Sequence, residues 1–178
     1  SREVGGRSDG PNHYKARLVV AAIGVFDPED NLDVHIESKP IRDKKRNQDV
    51  TVPMPSDYVL TGGGVKQTNS ETAGTEKWAT TAFLTASHPV ISEGAPSWFA
   101  RTESHQFVDR HEIEAYAIGI RAKDGRKPGA QIESLLTDAK FDPARSAHSK
   151  HGIVIGGGAA AMDRSQALYA SWPSSRSE

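Results

Sequence analysis

One short stretch of the chain has the spacing of a metal site. His105, Asp109 and His111 lie close together, and Asp109 and His111 are two positions apart. On a strand, side chains two apart project to the same side, and an imidazole with a carboxylate suits zinc or a similar divalent ion. Glu103, Glu112 or Glu114 would add a ligand. The competing reading is a polar loop before a strand, because the matching place in the first repeat offers only His13 and no matching acid, so the trio is not repeated.

Two glycine triplets, Gly62–Gly64 and Gly156–Gly158, each follow a short apolar run. Neither ends in the Gly-Lys-Ser/Thr of a phosphate loop. They read as bulges or tight corners where a side chain would not fit. A shallow backbone-lined pocket around Gly63 and Gly157, close to a sugar ring, is compatible with that role. Trp78, Trp98 and Trp172 stand in or beside polar, turn-rich sequence, with Arg101 close to Trp98. Exposed indoles stack on sugar faces, whereas buried ones plug the end of a small β core. Both readings stand for each tryptophan.

Catalytic arrangements find less support. No Gly-x-Ser-x-Gly elbow is present, and Ser87 and His88 are adjacent, so on a strand they face opposite ways. Glu37 and Glu133 occupy equivalent places and could form a carboxylate pair, although Glu on the polar side of a strand is ordinarily solvated. The expectation is a protein without a catalytic site or resident cofactor, with a divalent ion at His105, Asp109 and His111 as the exception to test.

These residues must be placed by the elements around them, and those elements recur. Ala22-Ile23-Gly24-Val25 returns as Ala117-Ile118-Gly119-Ile120, 95 positions on. Ile36-Glu37-Ser38 returns as Ile132-Glu133-Ser134, and Val59–Gly64 returns as Ile153–Gly158. Leu84–Pro89 returns as Leu168–Pro173 at a shorter spacing, with the difference absorbed in the polar stretch Lys66–Thr81. The pattern implies a tandem duplication of a unit of roughly 90 residues, with a first repeat at 1–96 and a second at 97–178. The short junction His88–Pro96 favours close packing of the two.

Strands are expected at 17–25, 32–37, 58–61, 83–87, 113–120, 131–135, 153–155 and 167–171. Leu32, Val34 and Ile36 alternate with polar residues and are expected to point inward. His88-Pro89 and Trp172-Pro173 are expected to close their strands. Ala159–Leu168 has the composition for a turn or more of helix. Short strands separated by Gly, Pro and Asp clusters give an all-β fold, a β-prism, sandwich or barrel.

Composition agrees. Apolar residues make up 36% of the 178, with 16 glycines and 10 prolines, as a turn-rich fold of half-buried strands requires. A net charge of −1 argues against a general nucleic-acid binder. The basic run Arg42–Arg46 has no interleaved aromatic residue and reads as a solvated loop. The absence of cysteine excludes disulfides and thiolate metal sites, and no apolar stretch approaches a membrane span.

The run Leu84–Pro89, Trp98, His105 and Ala115-Tyr-Ala-Ile-Gly119, with a glycine triplet after a strand, resembles a repeat module of bacterial extracellular proteins. The module is similar to the β-prism-like C-terminal part of a bacterial perforin-like protein. This resemblance implies a secreted or extracellular, lectin-like protein that recognises a glycan or another cell-surface ligand. The first repeat departs from it, lacking the tryptophan near its start. The alternative is a structural or assembly module of a secreted or virion-type array, in which free strand edges pair between chains as a homo-oligomer. A metal-dependent hydrolase is the third reading.

Overall fold

The computed structural model describes residues 26–69, 82–104, 111–126, 129–132 and 155–161. These contain no helix. Seven strands appear in order: β1 (Leu32–Lys45), β2 (Asn47–Pro53), β3 (Val59–Asn69), β4 (Ala82–Ser92), β5 (Ala95–Ser104), β6 (His111–Ala122) and β7 (Ala159–Ala160). They form two open sheets, one ordered β1-β6-β3 and the other β2-β5-β4-β7. Every described pairing is antiparallel. Neither sheet closes into a barrel.

In both sheets, strands from the first half of the chain alternate with strands from the second. The sheets pack on each other through Val50, Val52, Met54, Trp98 and Ala100 on one side and Ile113, Ala115 and Ala117 on the other, with Tyr58 at one end. Strand β6 alternates between buried and half-buried residues from His111 to Ile120. Its buried face is small over its second half: Ala115, Ala117 and Gly119 leave room for Met54, Tyr58 and Trp98 opposite. Close packing of this kind depends on pairing small residues with large ones across the layers.

Prolines mark the edges. Lys123 N donates to Asn31 O, so the odd-numbered residues of β1 turn their backbone groups to β6 and the even-numbered ones turn theirs outward. Pro40, which has no N–H, therefore sits on the open side. The bonds Ser104 N to Arg46 O and Met54 N to Pro96 O put Pro53 on the open side of β2 by the same argument. Pro89 lies inside β4, opposite Trp98. Its nitrogen faces away from β5, toward the side on which β7 reaches only Ala86 and Ser87. A strand can keep a proline where no ladder bond is lost.

Several sequence expectations are corrected. Strand β4 continues past His88-Pro89 to Ser92, where a tight turn joins it to β5 as a β-hairpin. Its turn residues Glu93 and Gly94 have φ of 52° and 79°, the two positive values a two-residue hairpin turn needs. Ala159 and Ala160 form a strand beside β4 rather than the start of a helix. Gln131 and Ile132 have no regular structure. The basic run Arg42–Arg46 carries β1 to its corner with β2. The expected strands at 17–25 and 167–171 lie outside the described residues, as does most of that at 131–135 and of that at 153–155.

The inward face of β1 is also reversed. Val34 is 61% exposed and Ile36 is 62% exposed, while Asp33, His35 and Glu37 turn to the core side. The register explains this. Val34 and Ile36 pair with Ile120 and Ile118, on the outer face of β6. Asp33, His35 and Glu37 pair with Arg121, Gly119 and Ala117, on the inner face.

The turn before β1 has a counterpart after β6. Asp30 N donates to Asp27 O at 3.3 Å, with Asp30 at φ 54°. Ninety-five residues on, Gly125 N donates to Ala122 O at 2.9 Å, with Gly125 at φ 82°.

Gly63 is the tightest approach between the layers. A Cβ there would overlap the indole of Trp98 and the carbonyl of Tyr116, whereas one at Gly62 would meet nothing. Gly63→Ala is expected to lower stability by about 1–3 kcal/mol through overpacking. Gly62→Ala should change it by less than about 0.5 kcal/mol. Chemical denaturation of the two variants checks this contrast.

Candidate functional site

The open side of the sandwich, where β1 and β2 are both edge strands, holds the strongest candidate. A groove of about 500 Å³ runs there. Glu37, Ser38 and Lys39 of β1 form one wall, and Val52, Pro53, Met54 and Pro55 form the other. One wall thus offers the carboxylate of Glu37 and the ammonium of Lys39, with Ser38 between them, and the other is apolar. Ligand sites commonly combine an apolar surface with a few placed polar groups in this way.

The polar wall continues into a hydrogen-bonded cluster. His35 Nε2 lies 3.1 Å from Glu37 Oε2, and the His35 ring is 4.9 Å from that of Tyr58. The Tyr58 hydroxyl donates to Asp33 Oδ2 at 2.7 Å, and Arg121 Nε donates to the same oxygen at 3.0 Å. The Arg121 guanidinium also pairs with Asp57 and stacks over the Tyr58 ring, 4.6 Å from its centre. The turn Pro55–Tyr58, closed by Tyr58 N to Pro55 O at 3.0 Å, delivers Met54 and Tyr58 into the core and Asp57 toward Arg121.

The electrostatics follow from these contacts. The hydrogen bond from Tyr58, reinforced by Arg121, holds the Asp33 carboxyl below the usual aspartate range. The bond to Asp33, with desolvation, raises the Tyr58 hydroxyl, and Asp33 raises Arg121 in turn. At neutral pH the cluster is a carboxylate, a neutral phenol and a guanidinium: a rigid anchor beside the groove rather than an acid–base pair.

The residues singled out from sequence separate. Trp98 is 3% exposed. It is a core residue whose indole Nε1 donates to Ser87 Oγ at 3.1 Å, so its ring faces are spent on packing and unavailable to a sugar. Gly63 exists to admit that indole. Arg101 lies on the opposite face of β5 from Trp98, where it bonds Thr85 Oγ1 at 3.2 Å and Ala161 O at 2.7 Å and pairs with Glu103 at 3.6 Å. That guanidinium fastens β7 to the sheet. Gly157 is exposed, with open space where a Cβ would stand. Trp78 and Trp172 lie outside the described residues.

His105 and Asp109 also lie outside the described residues. His111 is fully buried, its Nε2 2.6 Å from Thr102 Oγ1 and its carbonyl accepting from Gln48 Nε2 at 2.8 Å. Among the described residues no three metal-ligating side chains come together. Ser87 and His88 do face apart: Ser87 bonds Trp98, and His88 packs edge-on against Phe99 at 5.5 Å. Glu37 reaches the groove wall, and Glu133 is outside the described residues.

Sequence reasoning missed Asp33, His35, Asp57, Tyr58 and Arg121. The available signal was the row Asp33, His35, Glu37 and Lys39 at every second position, read as the solvent face of a strand. Comparison with protein families, with curated proteins and with solved structures finds no match for the chain. Among the described residues no helix is long and apolar enough to cross a membrane.

Acid should loosen this cluster selectively. Asp33 is depressed, so its contribution to stability is present above the unfolded aspartate pKa of about 3.9 and is lost as pH falls through the lower folded value. The wild type is expected to lose stability on acidification below about pH 4. Asp33→Asn should be less stable at neutral pH and show a shallower acid dependence. Thermal unfolding across pH 2–7, estimated as the useful range for a carboxylate of this kind, makes the comparison.

Proposed function

We propose that the chain is a non-catalytic binding module of a secreted or extracellular protein, recognising a glycan or another cell-surface ligand in the groove between β1 and β2. The observation that carries this reading is the groove itself: Glu37, Ser38 and Lys39 face an apolar wall of Val52, Pro53, Met54 and Pro55. A sugar ring has apolar faces and a hydroxyl edge, and two unlike walls match that division. The cluster of Asp33, Tyr58 and Arg121 holds β1 against the β2–β3 corner and so fixes the width of the groove.

The reading includes a tandem duplication of a β-prism-like unit. The recurrent turns at Asp27–Asp30 and Ala122–Gly125 support it, because they share hydrogen bond, positive φ and spacing with the flanking sequence repeats. Duplication would supply a second, related ligand surface, and two linked weak sites gain apparent affinity through effective concentration.

The test is a broad glycan screen of the purified chain, with calcium and again with a chelator, followed by groove variants. Glu37→Ala and Lys39→Ala are expected to weaken retention of a binding glycan by about tenfold or more, each with an unchanged unfolding temperature. Trp98→Ala cannot serve, because emptying that core site would cost about 3–5 kcal/mol of stability. Retention that survives both groove variants would contradict the assignment of the site. Loss of retention in chelator alone would move attention to Asp109 and its neighbours.

A second reading, an assembly module, is favoured by one observation. Val34 and Ile36 are mostly exposed on the outer face of β1, and the half-buried Ile118 and Ile120 lie beside them. Light scattering over a wide concentration range separates the two readings.

A further inference from the structure

We propose that the open edge of β1 is a contact between two copies of this chain, paired antiparallel about Ile36. The first ground is the backbone. Among the described residues β1 pairs with β6 alone, and its even-numbered residues turn their hydrogen-bonding groups outward. The Leu32 N–H is taken by Asp27 Oδ2 at 2.7 Å. Among the described residues Val34, Ile36 and Ser38 therefore present unpaired donors and acceptors in a line, up to Pro40, where the line of donors stops. An edge of this kind is a template for another strand.

The second ground is charge, and it favours this register over those centred on His35, Glu37 or Ser38. With Ile36 of each copy on the twofold axis, Asp33 of one copy lies opposite Lys39 of the other, and His35 lies opposite Glu37. Each of these pairs occurs twice, because a twofold contact is reciprocal. Asp33 keeps a free role for this, since its bonds to Tyr58 and Arg121 both fall on Oδ2. Centring on His35 instead sets Asp33 against Glu37, and centring on Glu37 sets that carboxylate against itself. Centring on Ser38 opposes Asp33 with Asp43. Like charges directly opposite each other are destabilising, so these neighbouring registers are disfavoured.

The third ground is the outer face. Ile36 pairs with Ile118 within the chain. The Ile36-centred register places Ile118, Ile36 and their two counterparts in one row across a six-stranded sheet. Val34 then stands opposite Ser38 of the other copy. Cross-strand apolar contacts between β-branched residues add to the backbone bonds. The exposure of Val34 and Ile36 thus has an occupant, a second copy of the same strand.

The chain has no cysteine, which makes the register directly readable. In the proposed pair the two Ile36 Cα atoms stand about 5.5 Å apart, within disulfide range. Ser38 and its counterpart would be separated by four residues along the strands, more than about 12 Å. Ile36→Cys is therefore expected to form a covalent dimer on mild oxidation and Ser38→Cys is not. In parallel, the wild type should show concentration-dependent dimer in light scattering, and Ile36→Pro, which removes an outward donor as Pro40 already does, should weaken it about tenfold. Circular dichroism of Ile36→Pro confirms that the fold is retained. A wild type that stays monomeric, a Ser38→Cys dimer formed in preference to the Ile36→Cys one, or a dimer unaffected by a folded Ile36→Pro would each overturn the proposal. Slow-exchanging Val34 and Ile36 amides in a strict monomer would assign the edge to another segment of this chain instead.

Discussion

The fold depends on how closely β3 and β6 approach the indole of Trp98. That indole is almost fully buried between the two sheets, and Gly63 on β3 leaves it no spare room. Ala115, Ala117 and Gly119 keep the inner face of β6 shallow, so that the large side chains of the opposite sheet and its corner fill the space. The pairing of a large residue on one layer with small ones on the other sets the distance between the sheets. That distance in turn places β1 over β2 and opens the groove at their edges. The glycine triplet that invites a reading as a ligand cradle is spent, at Gly63, on this contact.

The second organising fact is alternation of the two halves within each sheet. Strand β6 lies between β1 and β3, and β5 lies between β2 and β4. Every described ladder therefore joins residues distant in sequence, apart from the β4–β5 hairpin. A topology of this kind folds slowly, because the entropy of loop closure must be met before the non-local contacts reward it. It also means that the groove and the cluster beside it belong to both halves: Asp33, Glu37 and Tyr58 come from the first and Arg121 from the second.

Much of the fold was legible in the residues. The all-β class followed from β-branched runs punctuated by Gly, Pro and Asp, and β6 was legible because it begins with alternation at Ile113, Glu114 and Ala115. The direction of β1 was not. Leu32, Val34 and Ile36 alternate with polar residues as a half-buried strand should, and the pattern alone sends them inward. The structure sends Asp33 and His35 inward because Arg121 and Tyr58 wait there, partners more than twenty residues away that no local pattern reveals. His88-Pro89 misled for a related reason: a proline ends a strand only where its nitrogen faces a neighbour, and that depends on sheet order. The candidate site was less legible still. Glu37 was noted, but the opposite wall, Val52 to Pro55, carries no chemical signal until β2 is laid beside β1.

The alternation of the halves is the claim on which the site and its anchor both rest, and it can be tested by dividing the chain. A cut in the β4–β5 turn, between Glu93 and Gly94, yields fragments 1–93 and 94–178. The account predicts that neither fragment alone gives the circular dichroism of the intact chain or unfolds cooperatively, and that mixing them restores both. A first fragment that folds by itself, with a cooperative transition and a sheet spectrum, would contradict it, because β1 and β3 would then have found neighbours without β6.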